Sequence, residues 1–235
     1  MISPDPHRRT IVYIDGFNVY YGLVKDTAWK WLDIVAFCRK MLPRNEIVRV
    51  KYFTAKIQSR SDDPQAATRQ ETYLSALETL PDIEIHYGRF LANPTRMPLA
   101  STVPGWPGFV GGPVRTVEVM KTEEKGSDVN LATHLVVDGF EGAYDIAVVV
   151  SNDSDLTYPI EVARKLGRTV GLIAPVLAPD RRPGARKRYP SRELTQAVTP
   201  NFVRTVRPSV LARCQLPPRI HHPTTGQIIT KPATW

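Results

Sequence analysis

Cysteine is scarce in this chain, and its cysteines and histidines form no metal-binding pattern. Of the 235 residues, two are cysteines, Cys38 and Cys214, and they lack the C-x-x-C spacing of a zinc site. Two isolated cysteines also give no disulfide framework. We therefore expect a reducing compartment and no structural zinc.

Long apolar runs and nucleotide-binding motifs are also missing. No apolar run approaches the length that spans a bilayer, and the first nine residues contain no apolar signal region. The chain has no P-loop, no G-x-G-x-x-G and no G-x-S-x-G nucleophile turn. We expect a cytoplasmic protein that contacts no membrane, needs no nucleotide cofactor and is not a serine hydrolase.

Acidic residues are outnumbered by basic ones. Lysine and arginine total 31 against 23 aspartates and glutamates, which gives a net charge of +8 and a pI near 9.6. This excess of positive charge favours a polyanionic partner, and nucleic acid is the first candidate. A basic protein that binds no polyanion is the alternative.

The hydrophobic pattern from residue 10 to residue 175 alternates between strand and helix. The predicted strands are 10–14, 47–57, 83–90, 145–150 and 169–174, and the predicted helices are about 31–42, 64–80, 127–138 and 156–166. Such alternation predicts an α/β domain with a parallel sheet and helices on both faces. Right-handed crossovers then bring the strand carboxyl ends to one edge of the sheet.

The chain divides into a lead at 1–9, this domain at 10–175 and a basic extension at 176–235. Within the domain, the stretch 91–113 is rich in proline and glycine and predicts a long loop insertion. Its Trp106 and Phe109 either anchor the loop to the core, which we favour, or stack on an unpaired base. In the extension we expect a short helix around 191–198 and an otherwise irregular tail.

A basic cluster opens the extension, directly after the last predicted strand of the domain. It contains Arg181, Arg182, Arg186, Lys187, Arg188 and Arg192. These side chains would contact phosphates through charge-assisted hydrogen bonds. A solvated basic loop is the competing interpretation.

Asp15 comes at the end of the first buried strand, where parallel sheets place their active sites. Gly16 lets the backbone turn sharply out of the strand, and Asn18 adds a neutral polar group three residues on. An Asp-Gly turn followed by a helix cap would explain the same residues. The site interpretation needs further carboxylates at this edge.

Asp153 and Asp155 supply them after the strand 145–150. Pro159 fits the first turn of a helix, which makes Ser154 or Asp155 the expected N-cap. Asp153 lies earlier, at the strand exit, where metal ligation explains it better than capping does. Carboxylate oxygens suit magnesium or manganese.

Asp128 is the third carboxylate. Ser127 looks like an N-cap and Gly139 like a C-terminal stop, so Asp128 is expected at the start of a helix and on its sheet-facing side, with Leu131 and Leu135. An inward carboxylate beside apolar neighbours favours a bound cation over a simple helix-dipole contact. His134 is predicted to be a surface or packing residue.

Carboxylates around Mg²⁺ or Mn²⁺ are what phosphodiester hydrolysis requires. The metal binds a phosphate oxygen and lowers the pKa of a water molecule, which becomes the nucleophile. A basic rim around an acidic centre would hold the nucleic-acid backbone on either side. This combination accounts for both the positive net charge and the acidic strand ends.

Three stretches of the sequence together resemble the NYN domain, the PIN-like family that includes LabA-like proteins. They are residues 13–20 (YIDGFNVY), 124–129 (EKGSDV) and 151–156 (SNDSDL). The resemblance implies a PIN-like three-layer α/β/α sandwich with a mostly parallel central sheet, and a metal-dependent ribonuclease.

The resemblance also implies roles for residues of this chain. The acidic catalytic and metal site carries over onto Asp15, Asp128 and Asp153, with Asp155 as a fourth metal ligand. Asn18 and Glu124 become supporting groups, and Lys125 a contact for phosphate.

Other functions stay open at this point. The chain could be a non-catalytic RNA-binding or regulatory module whose carboxylates hold a structural cation. An aspartate-nucleophile phosphatase using Asp15 is disfavoured, because Phe17 stands where haloacid dehalogenase-like enzymes usually have a second aspartate. RNA is favoured over DNA, while the cleavage specificity, the number of metal ions, the pathway, the protein partners and the oligomeric state, a homo-oligomer included, are left undetermined.

Overall fold

The computed structural model describes residues 8–59, 63–98, 116–178 and 188–235. The strands are β1 Arg9–Asp15, β2 Glu46–Thr54, β3 Ile83–Tyr87, β4 Arg89–Pro98, β5 Thr116–Lys125, β6 Ile146–Val150, β7 Thr169–Leu177, β8 Val203–Val206, β9 Arg219–His221 and β10 Ile228–Thr230. The helices are α1 Gly16–Val19, α2 Ile34–Met41, α3 Ala66–Glu78, α4 Ser127–Glu141, α5 Thr157–Lys165, α6 Arg192–Ala197 and α7 Pro208–Arg213. A π-helix at Tyr20–Val24 follows α1, and a 3-10 helix at Ser154–Leu156 precedes α5.

A parallel sheet is the centre of the fold. Within the described residues it has six strands in the order β3-β2-β1-β6-β7-β8, and every pairing between neighbours is parallel. β1 is buried along nearly its whole length, as a central strand covered on both faces must be. The predicted α/β class is confirmed.

Alternation along β1 separates two hydrophobic cores. Ile11 and Tyr13 point to the face covered by α4 and α5, whereas Val12 and Ile14 point to the face covered by α2 and α3. The result is a three-layer sandwich with the carboxyl ends of the strands along one edge. No helix in the described ranges has the length and apolar character needed to cross a bilayer.

The stretch 91–113, predicted to be a loop, begins as a strand. Residues 91–98 belong to β4, which pairs antiparallel with β5 in a separate two-stranded sheet. Pro94 and Pro98 are tolerated because each strand of such a pair has one edge that needs no N–H donor. The chain leaves the main sheet at Gly88, where a Cβ would come within 2.7 Å of Glu124 Oε1. Trp106 and Phe109 lie outside the described residues.

The tail after residue 198, predicted to be irregular, contains regular structure. β8 extends the central sheet by pairing with β7, and its four residues are too short to show a periodic pattern. Later residues pack beside α2, where the Trp31 indole donates a 2.8 Å hydrogen bond to the Pro217 carbonyl. The Trp235 ring lies edge-on to Trp31, with centroids 6.3 Å apart.

The predicted N-cap of α4 was off by one residue, and its predicted C-terminal stop by three. The N-cap is Gly126 and not Ser127, and the helix runs past Gly139 to Gly142, whose positive φ of 72° forms the C-cap. Gly139 lies inside the helix because the Tyr144 hydroxyl packs there: a Cβ would approach it to 2.7 Å.

A buried polar cluster lies between α4 and the sheet. Lys51 Nζ is 2.7 Å from Asp138 Oδ2, and the Tyr13 hydroxyl donates a 2.6 Å hydrogen bond to the same oxygen. Beside this pair, the half-buried rings of His86 and His134 have centroids 4.2 Å apart. His134 is thus a packing residue, one of the two placements predicted for it.

Candidate active site

Asp15 ends β1 and is held by three hydrogen bonds. Its Oδ1 accepts from the Asn18 backbone N–H at 2.9 Å, and its Oδ2 accepts from Asn18 Nδ2 at 2.6 Å and from Ser151 Oγ at 2.9 Å. Burial raises the pKa of Asp15, and these hydrogen bonds oppose the shift. A carboxylate has about four acceptor positions. Asp15 is therefore fixed in orientation and retains acceptor capacity for a cation.

Ser151 and Asn152 join the loop after β6 to the loop after β1. Ser151 Oγ accepts the Asp153 N–H at 3.1 Å, and the Asn152 N–H donates to Asn18 Oδ1 at 3.2 Å. The Asn152 side chain in turn accepts from Ser191 N at 2.7 Å. Neither residue was predicted from the sequence to have a role, although both lie in the 151–156 motif as small polar groups at a strand exit.

Asp153 is the residue that caps the 3-10 helix. Its Oδ1 accepts the Asp155 N–H at 3.0 Å, which corrects the expected cap at Ser154 or Asp155. The N-cap lies earlier in the chain than expected because the helical turn begins at Ser154, well before Pro159. Among the described residues, Oδ2 of Asp153 accepts no hydrogen bond. Asp155 is exposed in the first turn.

Asp128 is the second residue of α4 and is half-buried. Burial and then, in decreasing order, the charges of Asp15, Asp153, Glu124 and Asp155 raise its pKa to about 6. Glu124 Oε1 also accepts the Ser127 N–H at 3.0 Å and so stabilises the start of the helix. The structure therefore brings all five predicted acidic residues into one electrostatic neighbourhood.

This neighbourhood fits a hard divalent cation that retains water. Across the described ranges, no group of three or more histidine, cysteine, aspartate or glutamate side chains is arranged to hold a metal ion by itself. Mg²⁺ usually binds through one or two carboxylates, with water and substrate phosphate completing its shell. The donors are all carboxylates, and after burial their mutual repulsion adds to the raised pKa of Asp128, so a cation would relieve that repulsion.

The predicted basic residues are only partly placed. Lys125 is exposed at the end of β5, with Nζ 3.1 Å from Glu123 Oε2. Arg188 Nη1 donates a 3.1 Å hydrogen bond to the Tyr21 carbonyl. Tyr21 lies shortly after Asp15 in the chain. Arg181, Arg182, Arg186 and Lys187 lie outside the described residues, so their contact with phosphate stays a prediction.

A cavity of about 270 Å³ lies beside the segment that follows Asp15. Its aromatic lining consists of Phe17, Tyr20, Tyr21, Tyr52, Tyr73 and Phe90, and Trp235 adds an indole. Lys25, Lys30 and Arg69 also line it. The cavity could not be predicted from the sequence because its walls come from distant segments; the run of aromatic residues between Phe17 and Tyr21 was the available signal.

Comparisons with known proteins match one family model, a curated relative and a solved structure. The family model of the NYN domain matches residues 9–203. A 6-hydroxy-3-succinoylpyridine 3-monooxygenase from Pseudomonas putida is 32% identical over 193 residues, which are 74% of this chain and 61% of that protein. The chain thus spans about three fifths of the length of this curated relative. A solved structure of a protein of unknown function from Vibrio parahaemolyticus is similar at 15% identity over 88% of this chain and 98% of its own, with a TM-score of 0.48.

Proposed function

The chain belongs to the NYN domain family, and on that premise we propose that it is a metal-dependent nuclease that hydrolyses phosphodiester bonds in RNA. The observation that carries the proposal is the gathering of Asp15, Asp128 and Asp153 at one edge of the sheet, where burial and the neighbouring carboxylate charges raise the pKa of Asp128 to about 6. Such a cluster attracts a divalent cation and, through it, a phosphate.

Asp15, Asp128 and Asp153 are the proposed catalytic residues and metal ligands, and Asp155 is a fourth ligand. A bound Mg²⁺ or Mn²⁺ supplies a nucleophilic water of lowered pKa and neutralises charge on the phosphate. Asn18 and Ser151 orient the Asp15 carboxylate through their hydrogen bonds. Glu124 supports the site by fixing the first turn of α4, which carries Asp128.

Recognition of the substrate backbone is assigned to basic residues near the carboxylates. Lys125 immediately precedes the glycine cap of α4, and Arg188 lies against Tyr21. With the neighbouring Arg181, Arg182, Arg186 and Lys187, they would contact phosphates on either side of the bond that is cut. The net charge of +8 supports a polyanionic substrate. RNA is preferred to DNA on the family resemblance, and a cytoplasmic location is part of the same proposal.

The decisive experiment incubates end-labelled single- and double-stranded RNA and DNA with the wild-type protein, with Mn²⁺ or with EDTA. We expect cleavage of RNA with Mn²⁺ only, and its loss in Asp153→Asn. Glu141→Gln is the matched control, because it removes an acid from the opposite end of α4. Equal cleavage by Asp153→Asn and wild type would refute the proposed site.

A non-catalytic RNA-binding module is the alternative that the same experiment separates. In that case the protein binds RNA with an affinity that falls steeply with salt, yet leaves it intact with Mn²⁺ present. The carboxylates would then hold a structural cation, and EDTA would lower the melting temperature without changing the RNA.

A second candidate function is oxygenation of a heteroaromatic acid, by similarity to the Pseudomonas putida relative. The observation that favours it is the aromatic cavity with its lysines beside Asp15. The test measures dioxygen consumption with 6-hydroxy-3-succinoylpyridine and a reduced nicotinamide cofactor. Consumption that depends on the substrate supports this function, and its absence with intact RNA cleavage supports the nuclease.

A further inference from the structure

The cavity beside Asp15 has walls suited to a flat, unsaturated ring. Phe17 and Tyr20 come from the segment after β1, Tyr52 from β2, Tyr73 from α3 and Phe90 from β4. Its volume of about 270 Å³ matches a small ring system rather than a peptide or a long chain. Aromatic faces bind a flat ring by stacking or edge contacts.

Tyr52 provides a polar contact in this apolar space. The residue is 6% exposed, and across the described ranges its hydroxyl has no hydrogen-bond partner. It lies against Gly16, where a Cβ would come within 2.7 Å of the hydroxyl oxygen. Because Tyr52 lines the cavity and its hydroxyl makes no hydrogen bond to the described residues, a ligand atom that accepts or donates a hydrogen bond here would stabilise the complex.

Lysines add a positive charge to the cavity. Lys30 forms no ion pair with any residue in the described part of the chain. Lys25 lies over the Tyr21 ring, with Nζ 5.1 Å from the centroid. Arg69 is already paired with Asp63, so the available charge comes from the lysines.

We propose that this cavity binds a planar aromatic ring that carries an anionic group, with the ring between the aromatic side chains, a ring atom at the Tyr52 hydroxyl and the anion at Lys30 and Lys25. Two sources provide this chemistry: a nucleotide, whose base and phosphate are joined by ribose, and a free heteroaromatic carboxylate. The inference holds whether or not the carboxylate cluster cuts RNA, because ring and anion are recognised by residues outside that cluster.

The experiment titrates the full chain by calorimetry in EDTA, so that no metal-dependent cleavage contributes. The probes are AMP and nicotinate, each with a ring and an anion, and adenosine and ribose 5-phosphate, each with one of the two features. We expect AMP or nicotinate to bind and the single-feature probes to bind at least about 10-fold more weakly. Binding of AMP identifies a nucleotide site, and binding of nicotinate identifies a site for free aromatic acids.

Two variants locate the binding in the cavity. Tyr52→Phe removes one hydroxyl and should weaken binding about 5-fold, and Lys30→Gln should weaken it about 10-fold or more, because a charged contact is lost. Tyr158→Phe and Lys165→Gln are the matched controls, since both residues are exposed on α5. Circular dichroism and melting temperatures show that the variants are folded. No binding of either ring-bearing anion, or equal binding by wild type and both cavity variants, would overturn the proposal.

Discussion

The hydroxyl of Ser151 donates a 2.9 Å hydrogen bond to Oδ2 of Asp15 and so joins the ends of two adjacent strands. Ser151 Oγ also accepts the backbone N–H of Asp153 at 3.1 Å. One fully buried hydroxyl thus positions two of the three proposed catalytic aspartates. Its effect on the reaction would be indirect, through the orientation of these carboxylates.

Ser151→Ala should lower cleavage about 10-fold with little change in KM for RNA, because it loosens groups that orient proposed metal ligands. The free energy of unfolding should fall by about 1 kcal/mol, because one buried hydrogen bond is lost. The measurements are steady-state cleavage and denaturant unfolding. Ser154→Ala is the control, since Ser154 is exposed in the next turn. A variant with wild-type kcat and a higher Mn²⁺ requirement would also support positioning; unchanged values of both would contradict it.

Asp128→Asn should stabilise the metal-free protein at neutral pH. The folded pKa of Asp128 is about 6, above the ordinary value of 3.8, so its protonated form contributes stability at low pH that is lost as the pH rises through about 6. The asparagine side chain is neutral, as the protonated form of Asp128 is. We expect a gain on the order of 1 kcal/mol at about pH 7, reduced by solvent screening because Asp128 is partly exposed.

Mn²⁺ provides the second measurement on the same variant. In the wild type, Mn²⁺ should raise the melting temperature and EDTA should reverse the rise, because the ion binds the folded carboxylates. Asp128→Asn should show a smaller rise, and Glu141→Gln the full one. A less stable Asp128→Asn protein at neutral pH would show that burial and carboxylate repulsion do not destabilise the ionised Asp128.

Asp138→Asn should destabilise the fold by about 3 kcal/mol. The side chains of Lys51 and Asp138 are 10% and 11% exposed, so the variant leaves the lysine charge buried without its 2.7 Å partner. The double variant Lys51→Met with Asp138→Leu should recover much of this loss, since it removes both charges. Urea unfolding of the single and double variants measures the difference. Equal losses in both would show that packing, and not the buried charge, dominates.

His86 should make the fold less stable in mild acid. Burial first, and then the nearby His134 and Lys51, lower the pKa of His86 from its ordinary 6.5, while Glu84 opposes the shift. Below about 6.5 the unfolded chain takes up a proton that the folded chain resists, so the free energy of unfolding falls as the pH falls. His86→Gln should flatten this dependence as the pH falls below about 6.5, and His221→Gln, at an exposed position, is the control. Identical slopes in wild type and His86→Gln would contradict the assignment.

The sheet was predictable because its central strands leave a strong signal. β1, β6 and β7 are buried on both faces and therefore read as continuous apolar runs. β4 and β5 gave no such signal, since none of their residues is fully buried, and β4 also contains prolines, which normally argue against a strand. β8 was missed because four residues define no period.

At the site, the acidic residues could be found from sequence because each lies just beyond a strand or opens a helix. Asn18, three residues after Asp15, could be found in the same way, but Ser151 could not, because it lies 136 residues along the chain from the Asp15 carboxylate that it supports. The cavity could not be predicted either, because it forms only when distant segments pack together: Tyr52 and Trp235 line it although they lie far apart in the chain. Local patterns predict where groups leave the sheet, and packing decides which of them meet.

The pairing of β1 with β6 has a consequence during synthesis. Asp15 leaves the ribosome early, but the Ser151 that orients it follows 136 residues later. At roughly 5–20 residues per second, translation needs roughly 7 to 27 s to supply that partner. A nascent chain therefore carries an isolated aspartate and no assembled carboxylate cluster for most of its elongation. An RNA-cutting activity built in this way would stay off beside the messenger that encodes it until the domain is nearly complete.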